Sequence, residues 1–286
     1  MLFSIITPSF RANQWLPLCI ESVADQEVEH EHIVQDSVSD DGTLEWLPKD
    51  PRVRAYIEKD RGMYDAVNRG LHKAKGDLLA YINCDEQYLP GALKRVADFF
   101  AAHPDIDLIF ADTIVVKDDG SFHCFRKTQI PWIAHAQVSS LCTLTCAMFF
   151  RRSLIDKHQL FFSDSYRDLG DVDWVVRALR KNISTKIMRS YTSVFTETGE
   201  NMNLKPNAMR ERKVVAAQAP FWARHGKPVL EAAYKVTRVL NGGLREKALS
   251  YSIYTKASPT ARVQFDVANP KPYWDRVPLK SPQPAI

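Results

Sequence analysis

An acidic tetrapeptide, Asn83-Cys84-Asp85-Glu86, directly follows the apolar run of residues 78–82. The apolar run predicts a buried strand, and the end of that strand would bring the carboxylates to one edge of a sheet. Carboxylate oxygens at such an edge favour Mg²⁺ or Mn²⁺, which also bind diphosphates, so the tetrapeptide indicates a metal and nucleotide site. An ordinary acidic turn that ends a strand is the alternative.

Five short apolar runs predict the strands that would position this tetrapeptide. They are residues 3–7, 32–35, 53–57, 78–82 and 108–111. Apolar side chains at helical spacing lie between them, so strands and helices alternate along the chain. This alternation predicts an α/β fold in which a mostly parallel central sheet is covered by helices on both faces.

The loops after the first four predicted strands begin at residues 7, 36, 58 and 83, and all but the first contain carboxylates. Parallel strands bring such loops to the same edge of the sheet. Carboxylates gathered there repel one another unless a cation, or donors such as those of a base or a ribose, lie between them. Turn chemistry explains each loop but not their common edge, so the pattern favours a ligand site.

The composition is that of a globular protein, since 45% of the 286 residues are hydrophobic and 25% are charged. No segment approaches the roughly 20 uninterrupted apolar residues of a membrane span, and the amino terminus lacks the basic start of a signal peptide. We therefore expect a cytoplasmic location. The five cysteines lack the spacing of a zinc site, and we expect them to be free thiols.

The net charge of +4 is distributed unevenly along the chain. Residues 206–286 contain 14 Lys or Arg and 5 Asp or Glu, whereas residues 1–205 carry a net charge of −5. A basic carboxyl-terminal part suggests an anionic partner, and an acidic amino-terminal part argues against a nucleic-acid substrate. We therefore expect no nucleic-acid partner and favour peripheral contact with an anionic membrane.

The charge and the apolar pattern divide the chain into a main domain at residues 1–205, a basic amphipathic helical extension at 206–257 and a Pro-rich tail at 258–286. The extension carries an apolar stripe at helical spacing beside Lys227, Lys235 and Arg238. Such a helix either lies in a lipid interface or packs its stripe on the main domain, and the sequence leaves both open. The tail is expected to be extended.

Five blocks of the sequence resemble the family 2 glycosyltransferases with a GT-A fold. They are residues 7–10 (TPSF), 19–26 (CIESVADQ), 32–43 (HIVQDSVSDDGT), 58–71 (EKDRGMYDAVNRGL) and 74–92 (AKGDLLAYINCDEQYLPGA). Their order and spacing are similar to those of the subgroup that builds bacterial surface polysaccharides. The resemblance extends over about residues 1–200 and implies a GT-A type α/β domain, here followed by the helical extension.

The resemblance implies a set of nucleotide-binding residues. Thr7 and Pro8 would lie along the nucleotide, Asp36 would accept a hydrogen bond from the base, and Asp60 and Asn68 would belong to the same site.

The metal motif of the family usually reads Asp-any-Asp, and its last Asp corresponds to Asp85. Asn83 takes the first position, and Glu86 stands where a further Asp often follows. The resemblance therefore implies a Mn²⁺ or Mg²⁺ cofactor held by Asp85 and Glu86.

A catalytic base is predicted at the start of a helix. Apolar side chains at positions 172, 175, 176 and 179 have helical spacing, so Asp171 lies at or near the amino end of that helix. The family carries its catalytic carboxylate at such a helix start, and the resemblance implies that Asp171 is the base. Gly170 replaces the usual acidic neighbour. A structural N-cap is the alternative for Asp171.

Together these residues indicate an inverting, metal-dependent glycosyltransferase. It would move a hexose from a nucleotide-diphosphate sugar, most simply a UDP-sugar, to a hydroxyl of a saccharide or lipid-linked saccharide in surface polysaccharide or lipopolysaccharide biosynthesis, at the inner face of the cell membrane. A sugar-phosphate nucleotidyltransferase is one alternative, although the loop after the first strand lacks the glycines that cradle a triphosphate. A non-catalytic scaffold that keeps the GT-A fold is the other.

Overall fold

The computed structural model describes residues 1–199 and 206–274. The strands are β1 (Phe3–Ser9), β2 (His30–Asp36), β3 (Arg54–Ile57), β4 (Leu78–Tyr81), β5 (Glu86–Tyr88), β6 (Leu108–Lys117), β7 (Phe122–Arg126), β8 (Met148–Arg151), β9 (Thr185–Glu197), β10 (Leu249–Thr255) and β11 (Ser258–Val267). The helices are α1 (Leu16–Ala24), α2 (Thr43–Trp46), α3 (Met63–Lys73), α4 (Ala92–Ala102), α5 (Ile133–Val138), α6 (Ser153–Asp156), α7 (Gly170–Arg180), α8 (Pro206–Ala217), α9 (Phe221–His225) and α10 (Lys227–Leu240).

The first nine strands form one mixed sheet. Its order is β3-β2-β1-β4-β8-β6-β9-β5, with β7 beside β6. Strands β5, β7 and β8 run opposite to the other six, so most strands of the sheet point the same way. The predicted α/β fold with a mostly parallel central sheet is confirmed, and all five predicted strands are present.

The sheet is covered on both faces because its central strands are apolar on both sides. Strand β1 is buried along its whole length, and its successive side chains point to opposite faces. Ile6 belongs to one core cluster with Trp174 of α7, whereas Ile5 belongs to the other with Leu93 of α4. Each loop at a strand end therefore projects from a sheet that is fixed from both sides.

The carboxyl-terminal part differs from the prediction of a helical extension followed by an extended tail. Helices α8 to α10 occupy residues 206–240, but residues 249–267 form the antiparallel hairpin of β10 and β11. The hairpin forms because Tyr251 and Ile253 alternate along β10 and pack on Ile114 and Val116 of β6. Residues 275–286 of the predicted tail lie outside the described residues. Within the described ranges no helix is both long and apolar enough to cross a bilayer.

We expect Trp174→Ala to lower the free energy of unfolding by about 3–5 kcal/mol, the usual range for deleting a buried Trp or Phe side chain. Trp174 is fully buried, stacks on Phe162 with ring centroids 5.4 Å apart, and donates from Nε1 to the carbonyl of Leu160 at 2.8 Å. Urea unfolding followed by circular dichroism measures the change. The matched control is Trp222→Ala, which removes a side chain that is 60% exposed and should stay within about 0.5 kcal/mol of wild type. Equal losses in the two variants would contradict the assignment of the core.

Candidate active site

A cleft of about 1270 Å³ opens where the loops after β1, β2, β3 and β4 meet the start of α7. Five of the eight residues that the sequence predicted for the site line this cleft. They are Pro8, Asp60, Asp85, Glu86 and Asp171. The common edge inferred from the four acidic and polar loops is therefore present in the fold.

Thr7 and Asp36 do not line the cleft. Thr7 is fully buried, and its Oγ1 lies 2.9 Å from Nε2 of His32. The carboxylate of Asp36 accepts hydrogen bonds from the hydroxyl of Ser9 at 2.7 Å and from both the N–H and the hydroxyl of Ser39, at 2.7 and 2.8 Å. These bonds join the loops after β1 and β2. Nucleotide contact by Thr7 or Asp36 stays a prediction.

Asn68 also lies outside the cleft lining, on α3. Its Nδ2 donates to the carbonyl of Phe162 at 2.8 Å, and its Oδ1 accepts the N–H of the same residue at 2.9 Å. The paired hydrogen bonds fasten α3 to the segment that precedes α7. The structure thus gives Asn68 a structural task, while its predicted nucleotide contact is untested.

The carboxyl groups of Asp85 and Glu86 lie where their charged forms are disfavoured. Burial raises the pKa of Asp85 to about 6, and burial together with the charge of Asp85 raises the pKa of Glu86 to about 8. Glu86 is 1% exposed, and its Oε2 accepts the N–H of Asn83 at 2.8 Å, whereas its Oε1 has no hydrogen-bond partner. A cation beside the pair would relieve both the burial and the repulsion.

These residues fit a divalent cation that is shared with a diphosphate. Among residues 1–199 and 206–274, no three His, Cys, Asp or Glu side chains form a metal cage by themselves. Mg²⁺ ordinarily takes one or two protein carboxylates and completes its shell with water and substrate phosphates, so such a cage is not required. Asp85 would be the protein ligand, and the partnerless Oε1 of Glu86 is the second candidate.

Asp171 is the second residue of α7 and lies in the wall of the cleft. The N-cap of α7 is Leu169, so the N-cap alternative for Asp171 is wrong. Its Oδ1 accepts the N–H of Val172 at 2.8 Å, and burial raises its pKa to about 6. A carboxylate with this pKa is charged at neutral pH and more basic than an ordinary Asp, which suits a general base.

Tyr64 of α3 occupies the space that a side chain at position 170 would need. A Cβ on Gly170 would lie 2.6 Å from Cδ2 and Cε2 of the Tyr64 ring. The Tyr64 hydroxyl accepts the N–H of Asp171 at 3.1 Å and lies 3.4 Å from its Oδ1. Glycine in place of the family's usual acidic residue therefore lets a tyrosine ring reach the predicted base.

A carboxylate of α8 fixes the loop that precedes α7. Glu211 accepts the N–H groups of Arg167 at 2.7 Å, Asp168 at 2.9 Å and Leu169 at 2.9 Å. Burial alone would raise the pKa of Glu211, but these hydrogen bonds bring it below its ordinary value. The first helix of the carboxyl-terminal part thereby holds the start of the helix that carries Asp171.

Six cationic side chains line the cleft, and the sequence analysis singled out none of them. They are Arg11, Lys59, Arg61, Arg167, Arg210 and Lys256. They come from distant parts of the chain, so no local motif could have grouped them. Tyr64, in contrast, stands inside the 58–71 block, and only its contact with α7 was hidden. Positive charge at this edge complements a diphosphate.

The family model described as Glycosyl transferase family 2 matches residues 4–158, which is more than half of the chain. The chain belongs to glycosyltransferase family 2. The resemblance noted in the five sequence blocks is thus confirmed, and an enzyme that transfers glycosyl groups is the activity class to which the cleft belongs.

Two curated relatives act in the synthesis of glycans or related products, as their names state. This glycosyltransferase is 30% identical over 213 residues to the PGL/p-HBAD biosynthesis glycosyltransferase of Mycobacterium bovis (strain BCG / Pasteur 1173P2), covering 69% of this chain and 78% of the relative. It is 33% identical over 104 residues to the putative teichuronic acid biosynthesis glycosyltransferase TuaG of Bacillus subtilis (strain 168), covering 34% of this chain and 41% of the relative.

A solved relative shows the fold. The crystal structure of S. aureus TarS 1-349 in complex with UDP-GlcNAc matches this glycosyltransferase with a TM-score of 0.59 at 18% identity, over 85% of this chain and 75% of that chain. The fold is therefore of the GT-A type, as the sequence predicted.

We expect Tyr64→Phe to raise the pKa of Asp171 above about 6, because the hydroxyl stabilises the charged carboxylate of Asp171. A hydrogen bond to a charged group contributes about 1.5–3 kcal/mol, and this one is long, so we expect a rise of about one pH unit. The acidic limb of the glycosyltransferase pH profile should move upward with it. A ¹³C NMR titration of the Asp171 carboxyl measures the pKa without a substrate.

The control for this change is Tyr56→Phe. The Tyr56 hydroxyl accepts a hydrogen bond from Arg54 at 2.7 Å and is remote from the cleft lining, so its removal should leave the Asp171 titration unchanged. An unchanged titration in Tyr64→Phe as well would show that the tyrosine only fills space.

Proposed function

We propose that this glycosyltransferase moves a hexose from a UDP-linked sugar to a hydroxyl of a saccharide or lipid-linked saccharide, with inversion at the anomeric carbon. The observation that carries the proposal is the single cleft that joins Asp171, a carboxylate of raised pKa at a helix start, to Asp85 and a set of cationic side chains. One end of the cleft suits a hydroxyl that must lose a proton, and the other suits a diphosphate.

Relatives support the donor and the pathway class. TarS of Staphylococcus aureus (strain Mu50 / ATCC 700699) is a poly(ribitol-phosphate) beta-N-acetylglucosaminyltransferase, 23% identical to this chain over 213 residues, and TarS has been solved with UDP-GlcNAc. TuaG is named for teichuronic acid biosynthesis. We infer a role in surface-polysaccharide biosynthesis at the inner face of the cell membrane. Membership of the family favours glycosyl transfer over nucleotidyl transfer.

In the proposed reaction the acceptor hydroxyl attacks the anomeric carbon from the side opposite the diphosphate. Asp171 accepts the hydroxyl proton as the new C–O bond forms, and the bond from the anomeric carbon to the diphosphate breaks, so the configuration inverts. Arg167 and Arg210 lie in the cleft wall and would balance the charge of the departing diphosphate. A divalent cation bound at Asp85 would supply further positive charge to the leaving group.

We expect calorimetric titration to show that UDP binds more tightly than GDP, and that chelator weakens the UDP titration at least tenfold. Asp85→Asn should weaken the Mn²⁺-dependent binding by a similar factor, because it removes a negative ligand from the shared cation. Asp105→Asn, an exposed carboxylate outside the cleft, is the matched control and should bind UDP as wild type does. Failure of both nucleotides to bind at millimolar concentration with metal would favour the scaffold alternative.

We expect Asp171→Asn to lower the rate of UDP release from UDP-hexoses in the presence of acceptor by about 100- to 10,000-fold, the usual contribution of a general base. UDP affinity should not change. The raised pKa of Asp171 means that the folded chain binds a proton between about pH 4 and 6 that the unfolded chain releases, so charged Asp171 destabilises the fold above that window. Urea unfolding at pH 8 should therefore show the variant to be at least as stable as wild type, and a clear loss of stability would contradict this placement.

A further inference from the structure

The apolar stripe that the sequence predicted in the carboxyl-terminal extension lies on α10 and faces solvent. The α10 stripe comprises Val229, Val236, Val239 and Leu240, whose exposed fractions are 73%, 55%, 50% and 79%. The sequence left open whether the main domain would cover this stripe. The structure shows that it does not.

The opposite side of α10 is the one that packs on the protein. Tyr234 is 3% exposed, stacks on His135 of α5 with ring centroids 4.0 Å apart, and meets the edge of Trp132 at 5.3 Å. Gln129 donates from Nε2 to the carbonyl of Tyr234 at 3.2 Å. The outward direction of the stripe is therefore fixed by packing on the inner side of the helix.

Helix α9, which precedes α10, adds two exposed aromatic side chains. Phe221 is 68% exposed and Trp222 is 60% exposed, while the next residue, Ala223, is fully buried and anchors the helix. Aromatic side chains that combine a large apolar area with a polar edge are favoured at a membrane interface. We call the α10 stripe together with Phe221 and Trp222 the docking face.

Exposure of large apolar side chains is concentrated in this part of the chain. Of the fourteen such side chains that are exposed among residues 1–199 and 206–274, eight lie between Met209 and Leu240. Scattered exposed apolar residues need no explanation, but a concentration of them marks an interaction surface.

The same region is strongly basic. Residues 206–247 contain nine Lys or Arg and three Asp or Glu. Each of the three acids binds a group of the chain itself: Glu211 holds the loop before α7, Glu231 accepts the hydroxyl of Ser139 at 2.7 Å, and Glu246 accepts the hydroxyl of Tyr191 at 2.6 Å. The surface around the docking face thus offers positive charge to a partner.

We propose that the docking face binds the surface of an anionic lipid bilayer. Its apolar side chains would enter the boundary between head groups and acyl chains, and neighbouring cations such as Lys227 and Lys235 would meet the lipid phosphates. A second copy of the chain suits this surface less well, because two docking faces would bring together regions of the same positive sign.

The consequence for the acceptor rests on the proposed function. Helices α8 and α10 both pack on α5, and α8 contributes Asn207 and Arg210 to the lining of the cleft. A bilayer bound through α9 and α10 would therefore lie against the helical layer that also forms part of the cleft. This arrangement favours a lipid-linked saccharide over a free one as the acceptor class.

The test is sedimentation of the full chain with vesicles of phosphatidylglycerol and, separately, of phosphatidylcholine. We expect binding to the anionic vesicles that weakens as salt is raised. Val236→Asp combined with Leu240→Asp should reduce the bound fraction at least tenfold, because both charges enter the apolar boundary. Lys227→Glu and Lys235→Glu should each weaken binding at least about fivefold, since one basic residue near an anionic surface contributes about that factor.

Matched controls separate the docking face from general surface effects. Tyr273→Asp changes an apolar side chain that is 62% exposed elsewhere, and Lys186→Glu reverses an exposed charge on β9; both should bind vesicles as wild type does. A UDP titration of every variant reports the cleft independently, so vesicle binding without UDP binding would remove the proposed function and leave the docking face intact. The proposal is overturned if anionic vesicles do not bind, or if Val236→Asp with Leu240→Asp leaves binding unchanged. A dimer that these substitutions dissociate in sedimentation velocity, without vesicle binding, would assign the face to a second copy.

Discussion

Three carboxyl groups, those of Asp85, Glu86 and Asp171, share a cleft in which burial raises the pKa of each. Between the ordinary pKa and the raised one, the folded chain holds protons that the unfolded chain releases, so stability falls as the pH rises through that interval. The rest of the fold must offset this effect. It does so through a sheet buried on both faces, whose strand β1 is apolar or satisfied along its whole length. The site is therefore stabilised by cores that would touch no substrate.

The base is positioned from two independent directions. Tyr64 reaches Asp171 from the main domain because Gly170 leaves room for its ring, and Glu211 of α8 gathers three backbone N–H groups just before the same helix. A loop that donates three N–H groups to one carboxylate has few other conformations available to it. The helices that follow residue 205 are thus part of the support of the cleft, although the family model ends at residue 158.

Strand periodicity predicted the sheet and the meeting of four loops, because both follow from short-range patterns and from the parallel direction of the strands. It did not predict that Asn68 pairs with the backbone of Phe162, which is 94 positions away along the chain. The hairpin of residues 249–267 was missed for a similar reason, since its buried side chains are recognised only against β6. The six cleft cations also come from separate loops. Contacts of this kind depend on the assembled fold.

A helical apolar stripe indicates that one face of a helix avoids water, but it says nothing about what covers that face. On α10 the side that packs is held by Tyr234, whose ring fits between His135 and Trp132, and it leaves the more regular stripe outside. Aromatic stacking of one large side chain thus decided the orientation against four smaller aliphatic ones. Exposed apolar area has a cost in water that a bilayer would remove, and the basic side chains beside the stripe would gain from the same contact. The unusual exposure and the unusual charge of this region therefore have a single physical explanation.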